Sequence, residues 1–143
     1  MNNAKEHLDL VRRLYKQAVA KQATLNVMRG KAADPRTAKL SQAPRGGPAG
    51  SAGLGAPVAA ILDMERQLGD IKRRLRPLYR QARAAIERDV DDPDQRRVLT
   101  LYYLEGKSIG AIQDALGCNY MRCMSLHDRA VRHLHIRSDD GED

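Results

Sequence analysis

Near its end the chain gathers Cys118, Cys123, His127, His133 and His135. These residue types ligate zinc and other transition metals, but only when several of them converge on one point. On a helix, side chains three or four residues apart share a face, so Cys123 and His127 can meet while the others diverge. Cys118 and Cys123 read as five apart on one helix with their side chains pointing in different directions, so no intrachain disulfide is expected. The run SLHDR brings together Ser125, His127 and Asp128, the residue types of an acyl-transfer relay. Adjacent residues on a helix point apart, and no relay is expected. The glycines of PRGGPAGSAG neither follow a strand nor open a helix with Lys-Ser or Lys-Thr, which argues against a phosphate-binding loop. No catalytic residue, metal or cofactor is assigned.

The chemistry that remains is recognition by contact. Asp92 followed by Pro93 reads as an N-cap and first helical position, starting a helix that runs to Leu104 and ends at Gly106. Ser108 can cap a short helix over Ile109 to Leu116, with Ile112 and Leu116 inward. Gly117 supplies a left-handed turn and Asn119 caps a last helix whose buried face is Cys123, Leu126, Ala130 and Leu134. A short bracing helix, a tight turn and a longer helix with polar positions near its start is the pattern of a helix-turn-helix. A plain corner of a helical bundle has the same spacing.

The elements that would position this segment lie upstream. Leu8, Val11, Tyr15, Ala18, Gln22 and Leu25 recur at steps of three and four, and the pattern returns as Ile61, Met64, Leu68, Ile71, Leu75, Leu78, Ala82 and Ala85. Between them, residues 34–57 are crowded with Gly, Pro, Ala and Ser and read as a flexible loop. Two matching seams around a loop predict a coiled-coil-like antiparallel helical hairpin over 1–90, each arm roughly 40 to 50 Å long at ~1.5 Å per residue. Pro77 is expected to kink the second arm. With five Tyr and no Phe or Trp, the core must be aliphatic, and the fold class is all-α. The division is a hairpin at 1–90, a tri-helical helix-turn-helix at 91–136 and an acidic tail at 137–143. No apolar run reaches the ~20 residues of a membrane span, and the start of the chain lacks an apolar secretion signal, placing the protein in the cytoplasm.

Charge is unevenly spread within a net +7: residues 1–90 hold 18 Lys and Arg against 8 Asp and Glu, and residues 91–143 hold 7 against 10. The segment that would read DNA is therefore not the basic part. In KRRLRPLYRQAR, Lys72, Arg73, Arg76, Arg80 and Arg83 fall within about a quarter of a helix circumference at about 100° per residue. They form either a solvated face or a phosphate-tracking ridge that compensates for the near-neutral segment.

In the run RRVLTLYYLEGKSIGAIQDALGCNYMRCMSLHDRAVRHL, which begins at Arg96, the segment Arg97 to Leu134 resembles region 4 of sigma-70-type transcription initiation factors, notably in YLEGKS, LGC and LHDRAVRHL. The whole arrangement, with SQAPRGG between two heptad arms, is similar to phage and prophage late-transcription regulators of the ArpU/RinA type. The resemblance implies a DNA-binding regulator of phage or prophage genes, without catalysis. It further implies double-stranded DNA as partner and host RNA polymerase as a second, while the heptad seams leave open a homodimer through the hairpin. Its implied DNA-binding residues are Ser108, Asn119, Tyr120, Met121, Arg122, Met124, Ser125, Arg129 and Arg132. Sigma region 4 usually carries charged or amide side chains where this chain has Tyr120, Met121, Met124 and Ser125, which points away from an ordinary promoter element. Thymine methyl groups remain available to such side chains, whereas a bidentate guanine contact does not. Arg122 is the strongest candidate for a phosphate or base contact, and Tyr120 and Met121 could instead pack against the preceding helix. Cys118 and Cys123 fall where the family has small apolar core residues, implying buried thiols. A small terminase-like DNA-packaging protein and a polymerase-binding adaptor are the alternatives.

Overall fold

The computed structural model describes the backbone of residues 3–33 and 47–136, and the side chains of 3–31 and 57–136. Described residues form α1 (Asn3–Ala33), α2 (Gly47–Asp89), α3 (Pro93–Leu99), α4 (Ile109–Leu116) and α5 (Tyr120–His133). The fold is all-α: an antiparallel helical hairpin followed by a tri-helical helix-turn-helix. No described helix is long and apolar enough to cross a membrane.

The second arm differs from the expectation. Of the loop expected over 34–57, residues 34–46 lie outside the described residues, and from Gly47 the chain is already helical. The glycines that suggested a loop each cost only about 1 kcal/mol in a helix, and Pro48 sits in the first turn, where a missing N–H is harmless. Helix α2 also runs through Pro77 without a break. The acidic tail at 137–143 lies outside the described residues.

Packing divides the chain into two units, 1–16 with 73–143 and 17–72. In the second, Ala18, Leu25, Leu68 and Ile71 are buried, and Lys21 Nζ donates to Gln67 Oε1 at 3.0 Å while Arg29 pairs with Glu65. In the first, the seam residues Leu8, Val11, Ala82 and Ala85 share one core with Leu99, Tyr103, Leu104, Ala130, Val131 and Leu134. The sequence division at 90/91 thus separates residues that the structure packs together. The first turns of α1 and the last turns of α2 belong to the core of the helix-turn-helix. Gly106 marks one such approach: its φ is +68°, and a Cβ there would meet Lys16 Cγ at 3.2 Å and Tyr15 Cδ2 at 3.3 Å. Both the left-handed backbone and the space therefore require glycine.

Arginines close the end of α2. Arg96 donates to the carbonyls of Val90 and, at 3.0 Å, Glu87. Arg88 bonds both Asp89 oxygens at 2.8 Å and the His135 carbonyl at 2.6 Å, and Asp89 accepts the His135 N–H at 2.9 Å. The Arg88 guanidinium and then the His135 amide hold the Asp89 carboxyl down at about 2. A carboxylate with a depressed folded pKa contributes stability that is complete above ~4 and is lost as pH falls toward ~2. Melting temperature of the parent should therefore fall more steeply than that of Asp89→Asn over this window. Parallel acid titrations would show the clamp to be inert.

Candidate nucleic-acid interface

Local caps set the turn. Asp92 Oδ2 accepts the Gln95 N–H at 2.9 Å, Ser108 Oγ accepts that of Ala111 at 3.1 Å, and Asn119 Oδ1 accepts that of Arg122 at 2.8 Å. Gly117 takes φ +65°, and its N–H and that of Cys118 both reach the Gln113 carbonyl, at 2.8 and 3.2 Å. Each is a helix end satisfied by a residue that was legible as a cap. A separate small core of Val98, Ile112, Cys123 and Leu126, flanked by Leu101, Ile109, Leu116 and Cys118, fixes α4 against α5.

With Cys123, Leu126, His127, Ala130 and Val131 buried, the opposite side of α5 is open. Tyr120 is 56% exposed and Met121 79%, so neither is buried against the preceding helix. Tyr120, Met121, Met124, Ser125, Asp128, Arg129 and Arg132 line one groove along this face. Arg122 is exposed but does not line it. At about 100° per residue it falls beside Arg129, on the flank of the groove. Ser108 and Asn119 act first as caps, their side-chain oxygens engaged by backbone N–H groups. Asp128 was not among the expected residues, although it stands four from Met124 and three from Ser125, a spacing that places it on the same face.

Behind the groove lies a buried polar pair. His127, 7% exposed, faces the Tyr103 hydroxyl through Nε2 at 2.5 Å and Asp128 Oδ1 through Nδ1 at 3.0 Å. The Asp128 carboxylate places the ring proton on Nδ1. Burial pushes the Tyr103 phenol well above its ordinary value, so its hydroxyl keeps its proton and donates to Nε2. Adjacent His127 and Asp128 do therefore bond, contrary to the expectation that neighbours on a helix point apart. The partner of Nε2 is Tyr103 rather than Ser125. From α1, Arg12 donates to the carbonyls of Tyr102 at 2.6 Å and Lys107 at 3.1 Å, and its guanidinium carbon stands 3.8 Å over the Tyr102 ring. Arg12 thereby holds the turn between α3 and α4, a role no local pattern could reveal. That turn begins as one π-helical segment, Thr100–Leu104, closed by Glu105 N–H to Thr100 O at 3.0 Å, where an ordinary helix to Leu104 was expected.

The cysteines correct another expectation. Cys118 lies in the turn rather than on the helix of Cys123, and the two Sγ atoms approach to 3.0 Å. Both are free thiols; Cys123 is fully buried, and burial and the neighbouring Cys118 push its thiol up to about 11. The basic residues of α2 are exposed as their spacing implies: Arg73, Arg76, Arg80 and Arg83 in the unit that holds the helix-turn-helix, and Lys72 in the other. Arg83 is paired with Glu87, Nε to Oε2 at 3.3 Å, which weakens its share of any ridge.

A brace helix, a capped left-handed turn and a second helix with one side open define a helix-turn-helix of the DNA-binding class. Residues 92–134 match the family model described as Sigma-70, region 4, from the N-cap of α3 to the last buried leucine after α5. Searches of curated proteins and of solved structures found no match. The matched segment is a sigma region 4-like module, of the kind that binds DNA in transcription.

Proposed function

We propose that the protein is a sequence-specific DNA-binding regulator of phage or prophage transcription that inserts the early turns of α5 into a major groove. The observation that supports this most is the open face of α5 behind a fully capped turn, within the segment that matches sigma region 4. The phage or prophage role rests on the resemblance of the whole hairpin-plus-module arrangement. Contact with host RNA polymerase follows from what sigma region 4 modules do. Leu8, Val11, Ala18, Leu25, Leu68, Ile71, Ala82 and Ala85 of the seams are buried within the chain, so a homodimer would use apolar residues left exposed, among them Val19, Val27, Val58 and Leu62. Light scattering tests this, since a monomer or dimer suits a regulator and a ring of many subunits suits DNA packaging.

Selection from a random duplex pool tests sequence-specific reading, and a pool that yields no enriched site would sink it. On an enriched site, Arg122→Ala should weaken binding by about 1–3 kcal/mol with helical content intact. Ridge and reading helix should respond differently to salt. Each phosphate contact contributes about 0.9 to the slope of log affinity against log salt. Replacing Arg73, Arg76 and Arg80 with Gln should flatten that slope and weaken all sequences alike. The parental slope in this triple variant would leave the ridge as a solvated face.

A further inference from the structure

We propose that α5 reads 5-methyl groups of pyrimidines, thymine above all, by apolar contact from Met121, Met124 and Tyr120 rather than by hydrogen bonds to purine edges. The inference rests on the DNA-binding reading above and names the chemistry of its target.

Met121 is the most exposed of the large apolar side chains among the described residues, at 79%, and Tyr120 beside it is 56% exposed. They occupy the first turn of the second helix of the motif, whose early residues meet base edges. Of the polar groups near them, several are already engaged through one oxygen, and exposed Arg122 stands on the flank of the groove rather than in its lining. Asn119 and Ser108 accept backbone N–H groups through their side-chain oxygens, and Asp128 accepts from His127 Nδ1. Ser125 is half-buried, and its single hydroxyl cannot form the bidentate pair that distinguishes a purine edge. The groove lining thus holds neither an amide for adenine nor, in the first turns of α5, a guanidinium for guanine. In a major groove the apolar feature within reach is the C5-methyl group of thymine. Methionine suits it, being unbranched, polarizable and free to adjust along the groove.

Charge identifies the occupant as DNA rather than an apolar protein surface. Exposed Arg122, Arg129 and Arg132 flank the thioethers, and the first turn of α5 carries no acid. The helix N-terminus adds its own positive end. With Asp128 as the one acid of the lining against Arg122, Arg129 and Arg132, the frame of the apolar strip is net cationic and matches methyl groups lying between two phosphate backbones.

The probe is the best duplex from the random-pool selection, resynthesised with deoxyuridine in place of thymidine, which keeps pairing and removes only the methyl. Affinity should fall about fourfold per contacted methyl, the ratio that corresponds to ~0.8 kcal/mol for one buried carbon. Met121→Ala combined with Met124→Ala should shrink the difference between the thymidine and deoxyuridine duplexes to what Tyr120 contributes, at unchanged helical content, and Met121→Leu should restore part of it. Equal binding of both duplexes by the parent would overturn the methyl reading while sequence-specific binding stands. Full thymidine preference in the double Ala variant would overturn it too, leaving the apolar strip to a protein partner. A pool without any enriched site would overturn the DNA reading itself.

Discussion

Leu8→Asp is expected to unfold the helix-turn-helix together with the hairpin end in which Leu8 sits. Leu8 is fully buried in α1, in one core with Ala82 and Ala85 of α2 and with Leu99, Tyr103, Ala130 and Val131 of the helix-turn-helix. An aspartate there has no cationic partner within the apolar cluster, and an unpaired buried carboxylate costs roughly 3–5 kcal/mol on top of the lost leucine contacts. That is a large part of the ~5–15 kcal/mol that holds a domain of this size. Melting followed by far-ultraviolet circular dichroism, with DNA binding measured in parallel, checks it. The two signals should be lost together, and Leu8→Ala should cost a milder ~2–5 kcal/mol. A variant that melts early in the hairpin yet keeps a folded, DNA-binding α3–α5 would show the shared core to be energetically two.

Ile112→Ala should have the next largest effect, and a more local one. Ile112 is fully buried in α4 and fills the small core with Val98, Cys123 and Leu126. Deleting its side chain beyond Cβ should cost ~2–5 kcal/mol, depending on how far α4 can settle into the space. Because α4 is a single short helix of 8 residues, most of its stability comes from this contact. Hydrogen exchange should show α4 losing protection ahead of the Leu8 core, with DNA binding weakened through the loosened angle between α4 and α5. Unchanged protection in α4 would mean that its caps, rather than Ile112, hold it in place.

The candidate site was legible where its geometry is local. Asp92, Ser108, Gly117 and Asn119 each satisfy a helix end only a few residues away, so residue type and spacing suffice to place them. The buried stripe Cys123, Leu126, Ala130 and Leu134 follows from helical period alone. Exposure of Tyr120 and Met121 did not follow, since a first-turn residue of this motif can face either the brace helix or the groove. The Cys118–Cys123 approach escaped because it depends on the chain direction through the Gly117 turn, which carries Cys118 off the helix axis. His127 with Tyr103, 24 positions apart, and Arg12 with the Tyr102 carbonyl, 90 apart, have no local signature at all.

The amino-acid sequence by itself determined that the protein is helical, where the helices around the turn begin and end, and which side of each seam is apolar. Those features arise from interactions within a few residues, and caps, glycines and a 3.6-residue period encode them directly. Tertiary structure alone decided that the hairpin end and the helix-turn-helix share one core. An apolar stripe states that a face must be buried and not against what. Leu8, Val11, Ala82 and Ala85 could satisfy their seam with one another, but the structure shows the same cluster also closing over Leu99, Tyr103 and Ala130. The hydrophobic effect is non-directional, so the partner of an apolar face is settled only when the chain closes on itself.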